Sequence, residues 1–298
     1  CNAGAKKEVS GCKGAAAGVA KEFGIPVKVV NKGLDYVEIV RNPRHGYGKG
    51  INPCVDCRLY MFRAAKEYMA EIGASFVVTG EVLGQRPMSQ RRDNFSLIEE
   101  ESGLKGLILR PLCAKNLEPT IPELEGIVDR EKLMNITGRG RRELMDLADN
   151  LEISDYPCPS GGCLLTDKIF SKKVRDLLKH KKDVTINDLQ LLKSGRHFRY
   201  DGVKIVVGRD DADNMKLEKL AAPGDTFIEP ANFQGPVALI SGESRNGARE
   251  FAGGIIMRYA AGKAPEGALL KATCGGVSTE FKAPPPLEEA IVKERNVC

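Results

Sequence analysis

Ser75-Phe76-Val77-Val78-Thr79-Gly80 is an apolar, β-branched run that ends on glycine. A run of that length, closed by a turn residue, predicts a buried strand. Upstream, Leu59, Phe62, Ala65 and Met69 recur at helical spacing between Asn52-Pro53 and Gly73, so a helix is expected over residues 55–72. Residues 107–112, which contain Arg110-Pro111, predict a second strand. Residues 25–30 predict another, behind a small-residue helix over 5–23 that stops at Gly24. Strands alternating with helices point to an α/β class, a doubly wound parallel sheet with its ligand site at the carboxyl ends of the strands. The pattern opens on a helix, so the expectation is that this sheet domain is N-terminally incomplete and that a strand stands before Cys1.

The composition agrees with a folded chain. Of 298 residues, 42% are hydrophobic and 29% charged, which excludes disorder as the main state. No apolar run approaches the roughly 20 residues of a membrane span, so no membrane partner is expected. The formal charge of +5 neither demands nor excludes nucleic acid; the placement of the charges decides. Nine cysteines, an odd number with no signal peptide, favour a reducing cytoplasm, where thiols serve metal, redox or sulfur chemistry.

Further along, residues 129–150 read as a polar helix carrying Arg139, Arg141 and Arg142, and the turn-rich stretch 156–163 as the cap of the first domain. A basic helix with Lys168, Lys172, Lys173, Arg175 and Lys179 follows. The boundary is expected near Lys182, giving domains 1–182 and 183–298. The second is expected to be a small α+β module. Its strands fall at 196–200, 203–208, 226–229, 237–240, 269–273 and 277–282, its helices at 186–192, 212–220 and 246–259. Asp201-Gly202 is a hairpin signal. The tail after Pro284-Pro285-Pro286 reads as a loosely attached helix.

Cys54-Val55-Asp56-Cys57 is the sharpest chemical feature. At a helix start the backbone N–H groups and the dipole favour thiolate, the form that attacks sulfur or binds metal. The pair fits a redox dithiol, half of a zinc site or ligands of an iron–sulfur cluster; it also fits two incidental cysteines. Cys163, behind flexible Ser160-Gly161-Gly162, supplies a third thiol. Zn2+ wants four ligands and no second Cys-x-x-Cys exists, although Cys158 is available. Three cysteines suit a cluster with one iron left open. Cys12, Cys113 and Cys274 read as buried small hydrophobes, and His45 as structural. The loop after Thr79-Gly80, with Gln85, Arg86, Arg91 and Arg92, reads either as a phosphate- and base-binding loop or as a solvated one. Ser160-Gly161-Gly162 lacks the Asp-Ser that a pyrophosphate-gripping loop needs next.

Taken in order, Asn52-Pro53-Cys54-Val55-Asp56-Cys57, Val77-Val78-Thr79-Gly80 and Gly161-Gly162-Cys163 resemble the tRNA thiouridylases of the PP-loop ATP pyrophosphatase superfamily. The relatives in view are the 2-thiouridylases and 4-thiouridine synthases. Cys57 and Cys163 match the sulfur-handling cysteines of their Asn-Pro-Asp-x-x-Cys and Gly-x-Cys stretches. Cys54 replaces the aspartate, and Glu81 replaces the histidine of a Thr-Gly-His turn. The resemblance covers roughly residues 1–166. It implies an adenine nucleotide alpha hydrolase-like fold, ATP with Mg2+ as cosubstrate near Thr79, Gly80, Gln85 and Arg86, and tRNA as partner. It also implies a sulfur donor, either sulfide or a persulfide carrier.

For sulfur chemistry the extra Cys54 favours a 4Fe-4S cluster on Cys54, Cys57 and Cys163; a persulfide on Cys163 resolved by Cys57 is the other route. The family's Ser-Gly-Gly-x-Asp-Ser loop does not occur in these 298 residues and is expected upstream of Cys1. Residues 195–200 and 207–210 resemble the NFACT-R type RNA-binding module, with Arg196, Arg199, Lys204 and Arg209 expected to contact phosphate. The alternative is an RNA-binding protein that uses its cysteines for structural zinc or redox sensing and does not thiolate.

Overall fold

The computed structural model describes residues 18, 20–21, 23–153, 162–242, 247–260, 262 and 264–298. Most of the helix expected over 5–23, and residues 156–161 of the expected cap, lie outside them, as do Cys1, Cys12 and Cys158. The chain divides into two units, Cys1–Asp167 and Lys168–Cys298.

The first unit contains α1 (Asp35–Arg41), α2 (Cys54–Glu71), β1 (Val77–Val78), α3 (Arg92–Ser102), β2 (Ile108–Leu109), α4 (Ile121–Leu124) and α5 (Arg142–Asn150). β1 and β2 pair in parallel, Val77 opposite Ile108, and the Thr79 N–H extends the ladder to the Leu109 carbonyl. Parallel neighbours need a crossover, and α3 supplies it. Leu59 and Phe62 of α2 pack with Ile98 of α3, Leu104 and Ile108, so the helical spacing read in the sequence is the core-facing stripe.

Two expectations fail in this unit. Residues 25–30 are not a strand. Ile25, Val27, Val29 and Val30 are each more than half exposed, and Lys28 is drawn to α2 by Glu71, at 2.9 Å, and by the Tyr68 ring. An apolar run becomes a strand only where a neighbour completes its hydrogen bonds, and none of the described residues does so here. Residues 129–150 are not one helix either. A single 3-10 turn at Arg130–Lys132 precedes an extended passage, in which Ile136 donates to the Leu112 carbonyl and Thr137 bridges Leu83. Backbone committed to the sheet is lost to a helix, so α5 starts only at Arg142, beyond Gly138 and Gly140.

The second unit holds α6 (Lys168–His180), α7 (Ile186–Leu191), β3 (Arg196–Tyr200), β4 (Val203–Val207), α8 (Asp211–Leu220), β5 (Thr226–Pro230), β6 (Ala238–Ser241), α9 (Ala248–Ala260), β7 (Leu269–Cys274), β8 (Val277–Lys282) and α10 (Glu289–Arg295). Its sheet runs β3-β4-β6-β5-β7-β8 with every pair antiparallel. Alternation assigns the faces. Ile205, Val207 and Ile240 meet Phe251 and Ile255 of α9, whereas Val206 and Leu239 meet Leu217 of α8 and Leu191 of α7. Asp201 and Gly202 both take positive φ, 45° and 81°, the conformation of a two-residue hairpin turn.

The division at Asp167–Lys168 falls ahead of Lys182 because α6 is built into the second unit. Val174 and Leu177 are buried, and Lys173 Nζ donates to the carbonyls of Leu192 and Gly195. The C-terminal tail is not loosely attached. Val292 is buried, Asn296 bridges Phe198, and the Val297 N–H donates to the His197 carbonyl.

Candidate functional site

Cys54 opens α2 and Cys57 lies three residues on, so both thiols sit on one face of its first turn, beside the positive end of the helix dipole. Asp56 between them faces the other way and fixes the preceding loop. Its carboxylate accepts from the Arg44 and His45 backbone N–H groups at 3.2 and 3.1 Å and from the His45 ring at 3.1 Å. His45 also reaches Glu101 at 3.3 Å, a structural role. Gly50, at φ 73°, lets this loop lie directly on the segment that bears Cys163. A Cβ there would collide with the Leu165 carbonyl oxygen, to which the Ile51 N–H donates at 3.0 Å. Two distant stretches of sequence are thereby joined, and the exposed Cys163 comes within electrostatic reach of the α2 thiols.

The three sulfurs share one electrostatic environment. Burial, then the charges of Cys163 and Cys57, push the Cys54 thiol above its ordinary value; Arg58 and Arg86 act in the opposite sense. Cys54 Sγ accepts from Asn52 Nδ2 at 2.9 Å. Cys57 Sγ accepts from Lys32 Nζ at 3.2 Å, and that ammonium lies 4.0 Å above the Tyr36 ring. Burial pushes the Tyr36 phenol far above its ordinary value, and its hydrogen bond to Cys57 and the charges of all three cysteines add to the shift. Lys32 and Tyr36 carry no spacing signal in the sequence, since only folding brings them to Cys57. The described cysteines are free thiols, and no three His, Cys, Asp or Glu side chains among the described residues converge as a single ion requires. Cys113 is buried, but Cys274 is half-buried rather than a core residue.

Thr79 and Gly80 leave the carboxyl end of β1, and Gln85 and Arg86 follow in the loop. Arg86 is within electrostatic reach of Cys54. Met88 touches the other loop, since a Cβ on Gly48 would lie 2.9 Å from its sulfur and 3.9 Å from that of Cys54. The strand-end loop and the cysteine loop thus meet at Cys54. Glu81 is buried between Arg58 at 3.3 Å and Arg110 at 3.2 Å. Arg110 also pairs with Glu99 and stacks on the Phe95 ring. Glu81 therefore ties the strand end to the residue that follows Cys57.

In the second unit the four basic residues singled out in the sequence have internal partners. Arg199 and Lys204 both bind Asp176, at 3.0 and 2.6 Å, and Arg209 binds Asp213 at 2.5 Å. Arg196 stacks 4.2 Å from the Tyr259 ring and donates to the Gly208 carbonyl. Burial pushes the Lys204 ammonium down to about 8, against the pull of Asp176.

Residues 2–122 match the family model of the thiamine biosynthesis protein ThiI, and residues 195–293 that of the NFACT protein RNA binding domain. The first match falls within the first unit and the second within the second unit. The ThiI family implies an adenine nucleotide alpha hydrolase-like fold, consistent with the parallel pair β1–β2. Among solved structures the chain is similar to the C-terminal part of the fibronectin/fibrinogen-binding protein of Streptococcus suis. The identity is 15% and the TM-score 0.29, over 81% of this chain and 94% of that one. No curated protein matches the chain. No helix of the described residues is long and apolar enough to cross a membrane.

Proposed function

We propose that this protein sulfurates tRNA: ATP activates a uridine, and sulfur handled at Cys54, Cys57 and Cys163 replaces its carbonyl oxygen. The observation that carries the reading is the gathering of three free thiols, from α2 and from the segment behind residue 162, around Lys32 and Tyr36. The ThiI and NFACT matches support it by family. In the reaction the uracil carbonyl oxygen attacks the α-phosphate of ATP and releases pyrophosphate. A sulfur nucleophile then adds to the same carbon, and AMP leaves with the oxygen.

Each residue has a part suited to that sequence. Lys32 and Tyr36 donate to Cys57 Sγ, and Asn52 donates to Cys54 Sγ. Thr79, Gly80, Gln85 and Arg86 receive the nucleotide at the carboxyl end of β1, where Arg86 is within electrostatic reach of Cys54. Mg2+ accompanies the nucleotide.

Cys54, Cys57 and Cys163 are the soft ligands that a 4Fe-4S cluster takes, and N–H and O–H donors lie beside the first two. A cluster held there would give the incoming sulfur its binding point. The free thiols accord with a cytoplasmic location.

The test is anaerobic purification with iron and acid-labile sulfide assays, EPR, and chromatography of nucleosides from tRNA treated with ATP and sulfide. Bound iron lost in Cys54→Ser, together with thiouridine formation, is expected. An iron-free protein that still thiolates would remove the cluster and leave the persulfide route. Absence of thiouridine with sulfide and with a persulfide carrier would remove the sulfuration reading.

A further inference from the structure

We propose that α6 and the C-terminal segment build a groove that holds the phosphate backbone of a folded RNA. This rests on the RNA-binding reading of the second unit and moves its contact surface, Arg199 apart, outside the NFACT-matched residues.

The groove measures about 540 Å³ and takes its cations from Lys172, Arg175 and Lys179 on α6, Arg199 on β3 and Arg295 at the end of α10. Residues 172, 175 and 179 follow one another at i, i+3 and i+7, so they form one stripe. All three are exposed, whereas Ser171, Val174 and Leu177 turn inward. At 1.5 Å per residue the stripe is about 10 Å long.

Two carboxylates also line the groove, and both are answered. Asp176 is held by Arg199 and Lys204 together, which leaves that trio net positive while Lys204 keeps its proton, and Glu294 lies 3.6 Å from Arg295. Phosphate entering the groove therefore meets cations first. Arg196, Lys204 and Arg209 are tied to Gly208 and Tyr259, to Asp176 and to Asp213, so their removal would damage folding before binding. The matched family segment ends at residues 195 and 293. Apart from Arg199, the lining of the groove, 172–180 and 294–297, lies beyond it and is added by the chain that flanks the module.

The experiment is filter binding of tRNA over a salt series to three full-length proteins: the wild type, Lys172→Gln/Arg175→Gln/Lys179→Gln, and Lys193→Gln/Lys216→Gln/Lys219→Gln. The last removes an equal charge from exposed positions elsewhere in the unit. Three lost phosphate contacts should weaken binding about 100-fold at 0.1 M salt and flatten the salt slope by about two units, with the control variant near wild type. Equal losses in both variants, or wild-type binding by the groove variant, would overturn the groove while leaving RNA binding in place. Failure of the wild type to bind tRNA would instead remove the underlying reading. Binding of anionic lipid vesicles that the groove variant alone loses, with tRNA binding intact, would assign the surface to a membrane and also overturn the proposal.

Discussion

Cys54 and Cys57 differ although one helical turn presents both. Cys54 has a neutral amide for a partner and neighbouring thiols that oppose its ionisation, whereas Cys57 faces an ammonium and a phenol. Lys32 is exposed and screened by water, so its hydrogen bond is worth up to roughly 1 kcal/mol, and Lys32→Met should slow alkylation of Cys57 by iodoacetamide at pH 7 by a few fold. Peptide mapping reads the rate residue by residue; an unchanged Cys57 rate would show that Lys32 is merely nearby. Gly50→Ala tests how Cys163 is delivered. The new methyl meets the Leu165 carbonyl oxygen in a backbone conformation that alanine resists. A loss of roughly 1–3 kcal/mol in urea unfolding is expected, along with loss of sulfur transfer. Wild-type stability and activity would mean that residues 162–166 are held some other way. The cysteines were legible in the sequence because their chemistry is local to a motif. Lys32 and Tyr36 were not, because their tie to Cys57 exists only in three dimensions.

Among the elements, the second unit was read almost strand for strand, since alternating side chains and the Asp201-Gly202 turn are local signals that antiparallel neighbours reinforce. Residues 25–30 misled because hydrophobicity reports a wish for burial and not the presence of a pairing strand. Residues 129–150 misled because the bridge of Thr137 to Leu83 spans too much chain for any local rule to find. β3 carries an element-level consequence in His197. Its Nε2–H donates to the Ser194 carbonyl at 2.8 Å, and Nδ1 has no hydrogen-bond partner. Burial, with the nearby charges of Lys204 and Lys173, holds the imidazole well below its ordinary value of 6.5. Below that pH the unfolded chain takes up a proton that the folded chain refuses. The stability is therefore present above pH 6.5 and is lost as the pH falls. His197→Gln should flatten the fall in unfolding free energy as the pH drops below 6.5. Urea titrations at several pH values measure it, and parallel slopes for the two proteins would refute the assignment.

At the scale of the molecule, the two matched families fall in different units, and α6 belongs to the second although composition grouped it with the first. Its basic residues look like a linker in sequence, because a stripe of lysines hides the opposite face on which Val174 and Leu177 are buried. Lys173 misleads further: it reads as one more surface charge, yet it is buried and caps the carbonyls of Leu192 and Gly195. Removing α6 would strip those carbonyls of their donor and expose the core beneath Val174 and Leu177. It would also leave Lys204 buried without Asp176. Burial of two aliphatic side chains alone contributes about 3–6 kcal/mol. A fragment of residues 168–298 should therefore unfold cooperatively in urea and bind tRNA, whereas residues 183–298 should lose at least about 3 kcal/mol of stability or fail to fold. Equal unfolding midpoints for the two fragments would return α6 to the role of a linker and place the boundary at Lys182 after all.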